Sequence, residues 1–295
     1  MLYTAGMRQE SERQLHHLEK IVAGIALLAV LLLTVGFAQA QSKKVFLRSS
    51  AVLVQDANSG KTILSKNSDQ VMPIASITKL MTAMVLLDSG VDMEQRVVVS
   101  RQDIDHRKGT HSRLRPGTVL TRSQLLLLAL MASENRAAFA LARTFPGGTQ
   151  AFVAAMNAKA HALGMEDTHY AGPTGLNPKN VSSPRDLARL VKAAADYPLI
   201  RAYTTRERAR VEARGRMLSY HNTNRLVSNR HWDIDLSKTG YISEAGRCLV
   251  MQVKVESREL IMVLLDSWGK YSRLGDANRI RKWLERSSAL ADSRG

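Results

Sequence analysis

The chain has 295 residues, 45% of them apolar, one cysteine and a net charge of +16. Apolar material is sufficient for a full core, and there is no low-complexity run or solenoid repeat, which excludes a disordered or repeat protein. A lone cysteine excludes an internal disulfide, and the positive charge favours an anionic partner such as a polyacid, lipid headgroups or nucleic acid.

The leader is the first element. Ile21–Phe37 carries no charge, follows Lys20 and runs into Ala38-Gln39-Ala40. Ala38 and Ala40 match the A-x-A pattern of a secretory signal, so residues 1–40 are expected to be cleaved off. The run is also about long enough to span a bilayer, which leaves an uncleaved anchor as the alternative. The stretch before it is long and holds Glu10, Glu12 and Glu19, and Met7 is a second candidate start. Under either reading residues 41–295 are exported, which argues against nucleic acid as the partner. After cleavage the protein would be periplasmic, with loose membrane association left open. The leader's charges cancel, so the exported part keeps the whole basic excess, and peptidoglycan, with its free carboxylates, suits such a protein.

Residues 50–56 and 61–65 read as a hairpin turning at Asn58-Ser59-Gly60. After Pro73 an amphipathic helix carries Ile77, Leu80, Met81, Met84, Val85 and Leu87 at helical spacing and closes at Gly90. Helices follow at 122–132, from Arg136 to about Thr144, and at 149–163 before Gly164. Ser133-Glu134-Asn135 is a tight connection between the first two. Ser183-Pro184-Arg185-Asp186 is a cap with proline in the first turn, opening a helix to about Ala195. Arg206–Arg216 alternates, with Ala209, Val211 and Ala213 on one side, and predicts a hairpin turning at Arg214-Gly215. Its arginines read as a solvated face in preference to a polymer-binding strip. Strands follow near 235–241, 247–255 and 258–266. Cys248 lies on one of them as a small buried residue. Ser272–Arg286 predicts a final helix with Leu274, Ile280, Trp283 and Leu284 in contact with the core. The fold class is therefore α+β. An antiparallel sheet is built from both ends of the exported chain, an all-helical lobe is inserted in the middle, and a cleft lies between them.

Three triplets carry the chemistry. Ser76-Ile77-Thr78-Lys79 opens a helix, where residues three apart share a face, so Lys79 can reach Ser76. Serine needs a base, and lysine serves as one only when burial or a cationic neighbour lowers its pKa. The helix start also offers backbone N–H groups to an oxyanion. Ser133-Glu134-Asn135 supplies a hydroxyl able to relay a proton and an amide able to hold a peptide group. Lys238-Thr239-Gly240 lies on a strand, where the lysine can meet a substrate carboxylate and the glycine leaves room for substrate to approach. Each has a chance interpretation. Two decoys exist, Ser267-Trp268-Gly269-Lys270 on a glycine-containing turn and Ser65-Lys66-Asn67 in an ordinary polar turn. The histidines are scattered, most read as exposed loop residues, and no zinc-ligand spacing occurs.

In this order, S-x-x-K, S-x-N and K-T-G resemble the signature of β-lactamases and penicillin-binding proteins. Ala75–Thr82, Gly172-Pro173-Thr174-Gly175-Leu176, His221–Val227, Lys238–Tyr241 and Glu244–Cys248 are similar to segments of the low-molecular-mass D-alanyl-D-alanine carboxypeptidase and endopeptidase family. The likeness spans roughly 45–287 and is greatest to the penicillin-binding protein 7 type, the endopeptidases. The resemblance implies a β-lactamase/transpeptidase-like fold in one catalytic domain, 41–295, without a C-terminal β-domain, and no cofactor. It implies Ser76 as nucleophile, Lys79 as base, and Ser133 and Asn135 as proton shuttle and positioning group. It gives Lys238 and Thr239 the substrate carboxylate, beside Gly240, and the N–H groups of Ser76 and Tyr241 the oxyanion. Glu134, where aspartate or glycine is commoner, is expected to point away from the nucleophile. The implied substrates are peptidoglycan peptides, with β-lactams as covalent inhibitors. Both the likeness and the short tail favour an endopeptidase, and a carboxypeptidase is the alternative. A β-lactamase lacks support because no segment supplies its water-activating glutamate, and a non-catalytic wall binder would not need these triplets intact.

Overall fold

The structure, a computed structural model, describes residues 45–292, with side chains through residue 286. The signal or anchor expected at residues 1–40 lies outside the described residues. Strand β1 (Ser49–Asp56) turns back into β2 (Thr62–Lys66). The short β3 (Met72–Pro73) leads to α1 (Thr78–Asp88), β4 (Arg96–Val98) and β5 (Val119–Thr121). Helices α2 (Arg122–Met131), α3 (Asn135–Arg143) and α4 (Gly148–Ala162) follow, then β6 (Val181–Ser182), α5 (Pro184–Ala195) and α6 (Pro198–Thr204). The hairpin β7 (Arg208–Ala213) and β8 (Arg216–His221) precedes β9 (Asp233–Ile242), β10 (Gly246–Val255), β11 (Arg258–Ser267) and α7 (Ser272–Asp292).

The main sheet has the order β2-β1-β11-β10-β9 and is antiparallel throughout. Its apolar runs are continuous because both faces are covered, and period-two alternation sends neighbouring residues to opposite cores. Leu53, Val250, Ile261 and Val263 face the helical lobe. Val52, Met251, Met262 and Leu264 face α7, meeting Ala277, Ile280 and Leu284. Leu274 and Trp283 pack at the edge of that second core, as expected. The buried Asp276 carboxylate on α7 accepts from Ser49 N at 2.7 Å and Ser49 Oγ at 2.6 Å, which ties the final helix to the first strand. The two ends of the described chain thus build one sheet.

Helix α1 departs from the amphipathic pattern read in its sequence. Thr78 through Leu86 are all buried, and the helix touches α2, α3, α4, α5 and α6. It is the axis of the inserted lobe, so no face is left for water. Full burial of each Leu or Met there is worth about 1.5–3 kcal/mol. Ser183 caps α5 as predicted, its hydroxyl accepting from Asp186 N at 3.2 Å. The β7–β8 hairpin turns at Arg214 and Gly215, both at positive φ. Helix α6 and the ribbon β4–β5 were not anticipated; Pro198 at the first helical position was the available signal for α6. Among the described residues the inserted lobe holds three two-stranded ribbons besides its helices. Cys248 is fully buried on β10, and burial pushes its thiol up to about 11.

Candidate active site

A single turn of 3-10 helix at Ala75–Ile77 precedes α1 and presents Ser76. Ala75 has φ 46°, a left-handed conformation that a residue with a side chain enters at a cost of about 1–3 kcal/mol and keeps only where its surroundings enforce it. Two glycines provide the enforcement. A Cβ on Gly240 of β9 would stand 3.0 Å from Ile74 O, Ala75 Cβ and Ser76 N. A Cβ on Gly175 would stand 1.8 Å from Ala75 O. Gly240 therefore lets β9 close onto the nucleophile's own turn, and it also lines the cleft on the side where the sequence expects substrate to approach. The same approach brings the backbone beside Tyr241 alongside Ser76 N, the two groups expected to hold an oxyanion. The Tyr241 side chain itself is exposed and stacks under the Arg247 guanidinium, 4.5 Å from its ring centre.

Lys79 lies one turn after Ser76 and is fully buried. Its Nζ is 2.8 Å from Ser76 Oγ, and it donates to Asn135 Oδ1 at 2.7 Å and to Thr174 O at 2.8 Å. These last two acceptors fix two N–H bonds of the amine, so its remaining tetrahedral position points at the Ser76 hydroxyl. Burial lowers the Lys79 pKa to about 7, against a partial rise from the Glu134 charge. Near neutrality a large fraction of the amine is therefore uncharged and able to take a proton.

Ser133 and Asn135 stand at the α2–α3 junction. Ser133 has φ 58°, a sharp turn that delivers its hydroxyl to Lys238 Nζ at 3.0 Å. Lys238 is buried on β9 and also donates to Thr239 O at 3.0 Å. Burial, together with the charges of Lys79 and Arg273, holds its pKa well below the ordinary lysine value. Thr239 Oγ1 donates to Thr223 Oγ1 at 2.6 Å, and Asn135 Nδ2 donates to Thr110 Oγ1 at 3.2 Å. All three triplets therefore line one cleft of about 530 Å³, in which Ser76, Ser133, Asn135, Thr239 and Gly240 are open to substrate. The site gathers basic groups, two buried lysines whose proton affinity burial lowers and Arg273, with Lys108 at the rim paired to Glu244. An arrangement of this kind can deprotonate a serine, receive a carboxylate and return a proton to a leaving group.

Several cleft residues escaped the sequence reading. Arg273, on the first turn of α7, reaches Gly240 O at 2.9 Å and lines the cleft. Burial lowers its pKa to about 10. Nothing in a helical tail marks one arginine as a cleft residue. Thr174 and Thr223 lie in segments singled out by resemblance alone. Asn180 is the hidden brace of the first of these: its amide donates to Gly172 O at 2.8 Å and Thr78 Oγ1 at 3.0 Å. Glu134 caps α3, accepting from Arg136 N at 3.3 Å, and acts on Lys79 through its charge. The decoys fall elsewhere. Ser267 Oγ pairs with Ser49 Oγ, and Lys270 stands over the Tyr271 ring. Lys66 Nζ donates to Ser49 O on the far edge of the sheet.

Known proteins resemble this chain in sequence and in fold. The D-alanyl-D-alanine carboxypeptidase family matches residues 38–269. The chain is 48% identical over 247 residues to the D-alanyl-D-alanine endopeptidase of Pseudomonas aeruginosa, covering 83% of this chain and 80% of that one. It is 44% identical over 244 residues to the D-alanyl-D-alanine endopeptidase of Escherichia coli, covering 82% and 79%. The crystal structure of the Streptomyces K15 DD-transpeptidase superposes with a TM-score of 0.76 at 26% identity, covering 82% of this chain and 98% of the other. This extent of likeness, on top of a cleft that gathers all three triplets, places the chain in the D-alanyl-D-alanine carboxypeptidase family of serine peptidases.

Proposed function

We propose that the protein is a serine DD-endopeptidase that cuts D-alanyl cross-links in peptidoglycan, exported to the periplasm. The observation that carries this reading is the 2.8 Å contact between Lys79 Nζ and Ser76 Oγ, beside a cleft lined by Ser76 and by Thr239 and Gly240, with Lys238 buried behind them. Ser76 Oγ attacks the D-alanine carbonyl and gives its proton to Lys79. The new oxyanion is held by the N–H groups of Ser76 and Tyr241. Collapse expels the amine, which takes a proton through Ser133, supported by its contact with Lys238. Water then frees the acyl group from Ser76. Thr239, Lys238 and Arg273 receive the substrate carboxylate, and the same pocket accepts the carboxylate of a β-lactam, which acylates Ser76. None of these steps calls on a metal or a cofactor. The named activity of the endopeptidase relatives favours cross-link cleavage over removal of a terminal D-alanine.

The test is a digest of purified muropeptides containing a cross-linked dimer and a monomeric pentapeptide, read by mass spectrometry. Dimers should become monomers while the pentapeptide survives. A pentapeptide that loses one alanine while dimers persist makes the enzyme a carboxypeptidase.

Acylation should also be pH-dependent. Only neutral Lys79 accepts the Ser76 proton, so the second-order rate of β-lactam acylation should rise as pH increases through about 7. A stopped-flow or gel-based rate series from about pH 5 to about pH 9 measures it, and a rate flat across neutrality would remove Lys79 from the role of base. The stability consequence has the same sign. Unfolding returns Lys79 towards 10.5, so the unfolded chain binds the extra proton between about 7 and 10.5 and the folded state gains stability as pH rises through that window.

A further inference from the structure

A second recess, of about 510 Å³, opens beside the catalytic cleft. One wall is the segment holding Ser112, Arg113, Arg115 and Thr118, and the other is the tip of the β7–β8 hairpin with Ala213, Arg214, Arg216 and Leu218. The hairpin register explains the second wall. Ala213 pairs with Arg216, Val211 with Leu218 and Ala209 with Tyr220, so Arg216, Leu218 and Tyr220 share the hairpin's inner face. The Arg113 guanidinium lies 4.1 Å above the Tyr220 ring and bridges the two walls. All four arginines are exposed, no carboxylate lines the recess, and among the described residues none of the four takes part in an ion pair. Four like charges converging on one groove repel one another, and an anion placed there relieves that repulsion.

Both walls continue into the active site. Thr110 lines the catalytic cleft and Ser112 the groove; two residues of chain span at most about 7 Å. On the other side Tyr220 is followed after three positions by Thr223, which lines the cleft. The catalytic cleft and the groove are thus lined by neighbouring residues of the same two segments.

We propose that this arginine groove binds the carboxylates of a peptidoglycan stem peptide next to the bond being cut, and so anchors the enzyme on the polymer. The arginine-rich hairpin then has two different faces. Arg208, Arg210 and Glu212 project outward as the solvated face expected from the sequence, while Arg216, with Arg214 at the turn, closes a binding groove. The proposal rests on the cell-wall reading of the site, and acylation of Ser76 by a fluorescent penicillin reports that site independently.

The experiment is co-sedimentation of the purified full chain with insoluble peptidoglycan. The parent should pellet with the polymer and be released as salt is raised from about 0.05 to about 0.5 M. Amidation of the polymer's carboxylates should lower binding about tenfold, as should the double variant R214E/R216E, with R214Q/R216Q intermediate. Penicillin labelling should match the parent in both variants, which also establishes that they fold. The groove proposal is overturned if the variants pellet like the parent, or if amidated polymer binds as well as native polymer. It is equally overturned if the variants keep the polymer and instead lose binding to phosphatidylglycerol vesicles, which would assign the groove to a lipid surface. A parent that binds polymer but takes no penicillin would defeat the catalytic reading and leave the groove standing.

Discussion

Replacing Ser76 by alanine is expected to abolish covalent penicillin labelling and to lower cross-link cleavage by about three orders of magnitude or more, since no other group can form the acyl intermediate. The fold should survive. Ser76 is only partly buried, and Lys79 keeps Asn135 Oδ1 and Thr174 O as partners when the hydroxyl is removed. Labelling with a fluorescent β-lactam reads the first effect, muropeptide mass spectrometry the second and thermal melting the third. A variant that still forms the adduct would place the nucleophile elsewhere. A variant that binds polymer normally yet cuts nothing is the result the two-site arrangement predicts, because Ser76 lies outside the arginine groove.

Gly175→Ala should be the most damaging glycine-to-alanine change among the described residues. Gly175 has φ +82°, and its added Cβ would lie 1.8 Å from Ala75 O and 2.2 Å from Ala75 C, both backbone atoms of the turn that presents Ser76. Backbone cannot rotate aside as a side chain can. Either the turn moves and Ser76 leaves Lys79, or the loop lifts and Thr174 O is withdrawn from Lys79 Nζ. The expected cost is at least about 4 kcal/mol, a fall in melting temperature on the order of 10 °C in a domain of this size, with loss of penicillin labelling in whatever remains folded. Gly90→Ala is the control. Its φ is +66° with nothing near the added Cβ, so only the left-handed penalty of about 1–2 kcal/mol applies and labelling should persist. Equal melting points for the two variants would show that the Ala75 turn yields to the methyl group.

The contrast shows why some site residues were legible in the sequence and others were not. Ser76 and Lys79 are joined by helical spacing, and a local rule suffices to bring them together. Ser183-Pro184 and Arg214-Gly215 are equally local, and the cap and the turn appear where they were read. Lys238 and Ser133 are 105 residues apart, and their 3.0 Å contact has no local cause. Each triplet taken alone had a chance reading, and resemblance alone joined them. Arg273 had no signal at all. Its helical environment predicts a surface or core position, and only the packing of α7 against β10 and β11 aims it at Gly240. The full burial of α1 was misread for a related reason: periodicity reports which face is most apolar, whereas the number of neighbouring helices decides whether any face meets water.

By itself the sequence determined the strands of the main sheet and of the arginine-rich hairpin, most of the helices, the buried cysteine and the identity of the groups able to do chemistry, because these follow from side-chain type and from spacings of two, three or four residues. Tertiary structure alone decided that Gly240 serves the nucleophile's turn, that burial brings Lys79 to a pKa of about 7, and that one face of an arginine-rich hairpin becomes a groove. The physical reason is common to all three. Desolvation, steric exclusion and charge convergence depend on which distant segments are packed together, and that is set by the whole antiparallel sheet and the lobe inserted into it.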